Sequence, residues 1–290
     1  MPTARCTGYL MPLEDDLSDI LKKARGGLGL SVREVAVASG LSEADVTGLE
    51  RGHKPPDRRT VRALAGVLAL KPDPLVGMAI ENWRPADRQK LPWVETVYGS
   101  VGGYGVQGYL LHDDGEALIV DTGYNAPAMI SALNERRLRL VGICLTHGHS
   151  DHARGIEELL AHREVPVYLG NDDRSLLDWR PRAGLLTSPH DGLVVRVGAR
   201  TVRCLATPGH TAGGICYQAD DQEQPTCFVG DTLFAGSIGR SNPFTLYETH
   251  LDSVRRRLLT LPGDVRLLPG HGPGTTVAEE REHNPFASLG

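Results

Sequence analysis

The spacing of apolar positions along the chain changes once, near residue 93. Before that point, from Asp15 to about Glu81, apolar residues recur three and four apart between glycine breaks, the period of helices that pack by one face. Leu17, Ile20, Leu21 and Ala24 predict a first helix, stopped by Gly26 and Gly27. Ser31, with Glu34 three residues on, makes a capping box for a second helix carrying Val35, Ala36 and Ala38. Gly40 then turns the chain, and Ser42 caps a third helix that ends near Glu50-Arg51-Gly52. No stretch of alternating β-branched residues interrupts this segment, so it reads as a small all-helical bundle.

From Trp93 onward, short apolar runs at 109–111, 117–120, 140–145, 165–169, 194–205 and 265–268 alternate with helical patterns at 126–138 and 156–161. That texture predicts an α/β (α+β) architecture. A proline- and charge-rich stretch beginning at Asn82 separates the two textures and reads as a linker, giving units at 1–82, 83–92 and 93–290. Residues 171–191 mix charges with Pro181 and Pro189 and read as a surface excursion bordering a cleft.

Composition adds limits. The 290 residues suit two domains, and 40% hydrophobic with 23% charged residues is ordinary for a folded globular chain. No run of about 18 apolar residues occurs and residues 1–13 lack a basic cluster, so we expect a cytoplasmic protein with no membrane partner. The five cysteines, Cys6, Cys144, Cys204, Cys216 and Cys227, form no C-x-x-C pair, which argues against a disulfide framework or a thiolate metal site. A net charge of −5 restricts any nucleic-acid contact to a local patch.

Five apolar runs end in a residue able to ligate a metal, beside glycine, proline or a tight turn: Asp121, His147, His210, Asp231 and His271. Strand ends gather at one edge of a layered sheet, so these groups are expected to converge on a common cleft. One loop reads His147-Gly148-His149-Ser150-Asp151-His152. A chance match to such a pattern arises on the order of once per thousand chains of this histidine content, which favours a metal loop over a merely polar helix start. Neutral imidazole and carboxylate oxygen are both ligands for Zn²⁺.

Two resemblances follow from these residues. Leu30 to Ala36, Ser39-Gly40-Leu41-Ser42, Leu49-Glu50-Arg51-Gly52, Pro55-Pro56 and Leu64-Ala65 with Leu68 resemble the phage-repressor-like helix-turn-helix family, which implies major-groove reading by the third helix. That helix carries Glu43, Asp45 and Glu50, with no base before Arg51. DNA therefore stands as one partner for the segment beside roles in dimerisation, as a homodimer, or in shaping a substrate site, and no DNA-contacting residue is assigned.

Thr146 to His152, Thr207-Pro208-Gly209-His210-Thr211, Gly230-Asp231-Thr232-Leu233-Phe234 and Pro269-Gly270-His271-Gly272-Pro273 resemble the successive motifs of the metallo-β-lactamase superfamily. Residues 234–240 and 282–286 are most similar to its glyoxalase II-like, single-domain hydroxyacylglutathione hydrolase branch. The resemblance implies an αββα sandwich holding two divalent metal ions, zinc foremost, with iron and manganese as alternatives. It implies one metal on His147, His149 and His210, a second on Asp151, His152 and His271, and Asp231 between them. Asp121 would orient the site, and Asp151 could also take a proton from an attacking water.

The implied function is a metallo-hydrolase cleaving an acyl thioester of a small thiol through a metal-bridging hydroxide. Arg240 would grip a substrate carboxylate. Only residues 272–290 follow His271, too few for the extra helical domain that carries the glutathione contacts of classical glyoxalase II. Alternatives are a non-haem iron persulfide dioxygenase using His147, His210 and Asp231, a DNA-binding regulator with a metallo-hydrolase-fold sensor, and a lactonase or β-lactamase.

Overall fold

A computed structural model describes residues 11–287, so Cys6 and most of residues 1–13 fall outside the described residues. The amino-terminal part is a cluster of helices, α1 (Leu17–Gly27), α2 (Val32–Ser39), α3 (Glu43–Glu50), α4 (Arg58–Val67) and α5 (Pro72–Ala79). Side-chain caps start four of them. Asp16 and Asp19 form a capping box on α1, Ser31 and Glu34 form one on α2, and Ser42 and Asp57 accept from the backbones of α3 and α4. The stripe Leu17, Ile20, Leu21 and Ala24 packs with Val35, Val46, Leu49, Val61 and Leu64 in one buried cluster.

The remainder forms two six-stranded sheets. The first runs in the order β1 (Val94–Val101), β2 (Tyr104–Asp113), β3 (Glu116–Thr122), β4 (Arg139–Cys144), β5 (Val167–Tyr168) and β6 (Leu186–Thr187). The second places β7 (Val194–Val197), β8 (Arg200–Ala206), β9 (Ile215–Ala219), β10 (Thr226–Gly230), β11 (Arg266–Pro269) and β12 (Thr275–Thr276) side by side in sequence order. The apolar stretch 194–205 is thus two antiparallel strands, because Gly198 turns the chain at φ 56°.

Period-two patterning explains the layers. Along β3, Leu118 and Val120 face the second sheet and meet Val195, Val202, Tyr217 and Phe228. Their neighbours Ala117 and Ile119 face outward onto α6 (Ala126–Glu135) and, past the short α7 (Ser150–Ala153), onto α8 (Ile156–His162). On the second sheet, Phe228 points inward and Cys227 and Val229 outward. The outward side chains join a core that also contains α9 (Tyr247–Asp252), the π-helical turn Ser253–Leu258 that continues it, Val277 of α10 (Val277–His283), and the amino-terminal helices. The result is an αββα sandwich whose second helical layer is continuous with the helix cluster.

The stretch joining α5 to β1 has neither helix nor strand, yet it is fixed in place. Ala86 donates its N–H to Glu279, Arg88 pairs with Glu279 at 2.9 Å, Arg266 donates to the Gln89 carbonyl, and Leu91 is buried.

Candidate metal centre

Parallel pairing sets where the chemistry gathers. β3 lies parallel to β4, and β10 parallel to β11, so the carboxyl ends of these strands share one edge of the sandwich. The two sheets are tied together there, with Ile215 N donating to Thr146 O at 2.8 Å and the Tyr109 hydroxyl donating to Pro269 O at 2.5 Å. The end of β3 delivers Asp121 to that edge, and the loops after β4, β8, β10 and β11 deliver the 147–152 cluster, His210, Asp231 and His271.

The structure brings together all seven side chains expected to bind metal. Potential ligand atoms of His147, His149 and His210 lie within 4.8 Å of one another, as do those of His147, Asp151 and His152, and those of His152, Asp231 and His271. His147 and His152 each belong to two sets, so the three sets make one continuous cage. His149 Nδ1 lies 3.0 Å from His210 Nε2, His271 Nε2 lies 3.3 Å from Asp151 Oδ2, and Asp231 Oδ2 is 3.7 Å from both His210 and His271.

Four of the five imidazoles are held from outside through Nδ1. His147 meets the Thr146 hydroxyl at 3.1 Å, His152 meets Asp121 Oδ2 at 2.9 Å, His210 meets the Arg240 carbonyl at 2.8 Å and His271 the Gly105 carbonyl at 2.6 Å. That leaves Nε2 of each ring facing the centre, the arrangement by which proteins fix the tautomer of a metal-binding histidine. The fit to a cation is testable on the structure itself. His147 Nε2, His152 Nε2 and Asp231 Oδ1 are buried without a hydrogen-bond partner, and the 3.2 Å approach of His152 Nε2 to Asp231 Oδ1 lacks hydrogen-bond geometry. Buried polar atoms are rarely left so, and three of them within one cage of ligating groups fit bound cations.

Charge within the cage is divided. Burial and the neighbouring imidazoles push His147 well below its ordinary pKa, and burial lowers His210 to about 4. Burial also opposes charge on His152 and His271, but Asp231 with Asp121 outweighs it at the first, and Asp231 with Asp151 raises the second to about 9. Asp231 is held well below the carboxylate range, its burial outweighed by His152 and His271. Asp151 is lowered too, its burial offset by the hydrogen bond to His271, and with 28% of its side chain exposed it is the more accessible carboxylate.

Asp121 stands behind the cage rather than in it. Only 1% exposed, it takes the left-handed φ of 55° and accepts from Thr146 N and Thr146 Oγ1, both at 2.7 Å, besides meeting His152. The Arg240 guanidinium is exposed, 4.9 Å above the Phe244 ring, and the residue reaches the cage only through its carbonyl. Sequence reasoning missed two buried groups. Asp173 lies inside the segment read as a surface excursion, and His250 bridges Ser241 and the Thr232 carbonyl beneath the His210 loop. One of two adjacent acids between Asn171 and Arg174 carries no signal of burial, and the only cue to His250 is its place in a helical pattern.

Comparison with known proteins agrees with this geometry. Residues 101–271 match the model for "Metallo-beta-lactamase superfamily", and residues 16–76 match that for "Helix-turn-helix domain". The chain is 33% identical over 203 residues to the probable metallo-hydrolase YqgX of Bacillus subtilis, covering 64% of this chain and 94% of that protein. It is 34% identical over 189 residues to the hydroxyacylglutathione hydrolase GloC of Haemophilus influenzae, covering 60% and 88%. The crystal structure of BLEG-1 B3 metallo-beta-lactamase superposes with a TM-score of 0.57 at 30% identity, covering 67% of this chain and 99% of that one. No helix among the described residues is long and apolar enough to cross a membrane.

Proposed function

Since the chain belongs to the metallo-beta-lactamase superfamily and carries a helix-turn-helix domain ahead of the metallo-hydrolase fold, we propose that it hydrolyses acyl thioesters of small thiols. The observation that carries the reading is the cage itself, four of whose five imidazoles are fixed by an outward hydrogen bond through Nδ1. In this reading His147, His149 and His210 hold one divalent cation, Asp151, His152 and His271 hold a second, and Asp231 lies between them. Such a pair, zinc foremost and iron or manganese as alternatives, supplies Lewis acidity toward an acyl oxygen and acidifies water near neutral pH.

The chain's own groups do the rest. Asp151, ionised and the more exposed carboxylate, accepts the proton of the attacking water at Oδ2. Asp121 holds His152 in one tautomer through Nδ1. The bond from acyl carbon to water oxygen forms as the carbon–sulfur bond breaks, and the proton passes to the thiolate. A thiolate leaves unaided near neutral pH because its pKa is about 8.5, so a thioester needs no dedicated acid where an amide would. The likeness to a hydroxyacylglutathione hydrolase supports this substrate class. Arg240, at the rim, binds a substrate carboxylate in this scheme, and Arg240→Ala is expected to raise KM for acidic acyl thioesters severalfold with kcat nearly unchanged.

The test is a turnover panel of S-lactoyl and other acyl thioesters beside oxygen esters, lactones and a β-lactam, with metal-loaded and chelator-stripped protein. Metal-dependent thioester cleavage is expected. Cleavage of the β-lactam or lactones with the thioesters untouched would overturn the proposal. Asp231→Asn is expected to lower kcat/KM by more than the roughly 10–100-fold that loss of an outer hydrogen-bond partner costs.

For the helix-turn-helix domain the proposed role is architectural. Helix α3 opens with Glu43 and Asp45, the latter paired with Lys54 at 2.6 Å, and Glu50 holds Arg25 at 2.6 Å. The helix carries no basic side chain of its own to meet a phosphate. Titration with the protein's own upstream DNA at low salt is expected to show no sequence-specific binding, and a salt-sensitive specific complex would restore the regulator reading.

A further inference from the structure

Asp173 is 1% exposed, in the short helical turn Asn171–Leu176 after β5, and every hydrogen bond it receives comes from a neutral donor. Its Oδ2 accepts from Gly148 N at 3.0 Å and from Thr211 Oγ1 at 2.7 Å, and its Oδ1 accepts from Gly213 N at 2.7 Å. Gly148 belongs to the loop that carries His147 and His149, and Thr211 and Gly213 to the loop that carries His210. One carboxylate therefore cross-links the two loops whose histidines approach to 3.0 Å. The backbone is shaped around it: a Cβ on Gly148 would lie 2.6 Å from the Asp173 carbonyl oxygen, and one on Gly213 would lie 2.8 Å from its carboxyl carbon. A buried carboxylate that forms no ion pair among the described residues is costly, and three donors drawn from two functional loops give it a reason to be there.

We propose that Asp173 is a positioning residue that sets the spacing of His147, His149 and His210, so that this triad binds its cation tightly while the second set stands without it. The inference rests on the reading of these side chains as two metal sites. In Asp173→Asn one carboxyl oxygen becomes an NH₂ group facing a backbone N–H, Gly148 N or Gly213 N, so the cross-link between the two loops is weakened with little change in volume.

Chelator-stripped protein is titrated with Co²⁺, following stoichiometry, affinity and the visible absorption of each bound ion, and the unfolding of the metal-free protein is measured alongside. The wild type is expected to take two ions. D173N is expected to lose tenfold or more in affinity for one ion, with an altered spectrum for that ion and the other ion unchanged. Two ions bound as tightly as in the wild type, or an equal loss at both sites together with a destabilised metal-free fold, would overturn the proposal. Fewer than two ions on the wild type would instead refute the two-site reading beneath it. Should D173N fail to fold, Thr211→Val removes a single donor, and a severalfold loss confined to one ion is expected; unchanged affinity would count against the inference.

Discussion

At the scale of single residues, the buried groups around the cage make separate predictions. His250 is fully enclosed, facing His210, Ser241 and the Thr232 carbonyl, and burial lowers its pKa to about 3. Because the folded form resists a proton that the unfolded chain accepts below about 6.5, its contribution to stability is complete above that pH and is lost as pH falls toward 3. One such group gives a slope of about 1.4 kcal/mol per pH unit. In denaturant titrations of chelator-stripped protein at pH 7 and pH 5, His250→Gln is expected to lose about 2 kcal/mol less than the wild type between the two. Equal losses would show that His250 titrates normally. Asp121→Asn must turn an NH₂ toward either Thr146 or His152, so it is expected to destabilise the fold by about 1–3 kcal/mol and to weaken one cation, read by denaturation and by metal titration. The cage residues were legible in the sequence because four of them fall within six positions and the others follow glycine or stand at strand ends. Asp173 and His250 were not, since their roles come from contacts 25 to 40 residues away for the one and 9 to 18 for the other.

At the scale of elements, β3 and β4 were readable because their apolar runs are long and buried on both faces. The first strand escaped notice. Val94–Val101 interleaves Glu95, Thr96, Gly99 and Ser100 among its apolar residues, and Val97 is its only fully buried side chain, so it stands as an edge strand ordered by eight backbone pairs with β2. Gly26 and Gly27 show the opposite error. Read as a helix stop, they form the last turn of α1, and their missing side chains admit two aromatic rings: a Cβ on Gly26 would lie 2.5 Å from the Phe244 ring, and one on Gly27 2.2 Å from that of Tyr247. Helix propensity alone would make Gly27→Ala stabilising by about 1 kcal/mol. The collision with Tyr247 outweighs it, and we expect a net loss of about 1–3 kcal/mol by chemical denaturation, with the opposite sign if the ring is free to move away.

At the scale of the whole molecule, the helix-turn-helix domain shares its core with the second sheet's outer layer. Leu21, Leu49 and Leu64 belong to the same buried cluster as Leu233, Ile238, Leu251 and Val254. Lys23 donates to the Ile238 carbonyl at 2.8 Å, Asp15 accepts from Ser237 at 2.5 Å, and Lys71 N donates to Pro285 O at 2.8 Å. Thermal unfolding followed by helix dichroism and by tryptophan fluorescence is therefore expected to give one coincident transition, and addition of divalent cations should move both signals together by the same mass-action increment, about 2.7 kcal/mol at a hundredfold excess over Kd. Two separated transitions would show that the helices fold on their own. The sequence disclosed both parts through their different periodicities, but the fit between them depends on surfaces that no single period records.

The bare backbone of Gly26 and Gly27 also constrains ancestry. With α1 stripped away, Phe244 and Tyr247 would meet water and make neighbouring molecules adhere, so the helical unit could not have been gained or shed without recolouring that face. Shorter members of the superfamily, built without such helices, are expected to carry polar side chains at those two places.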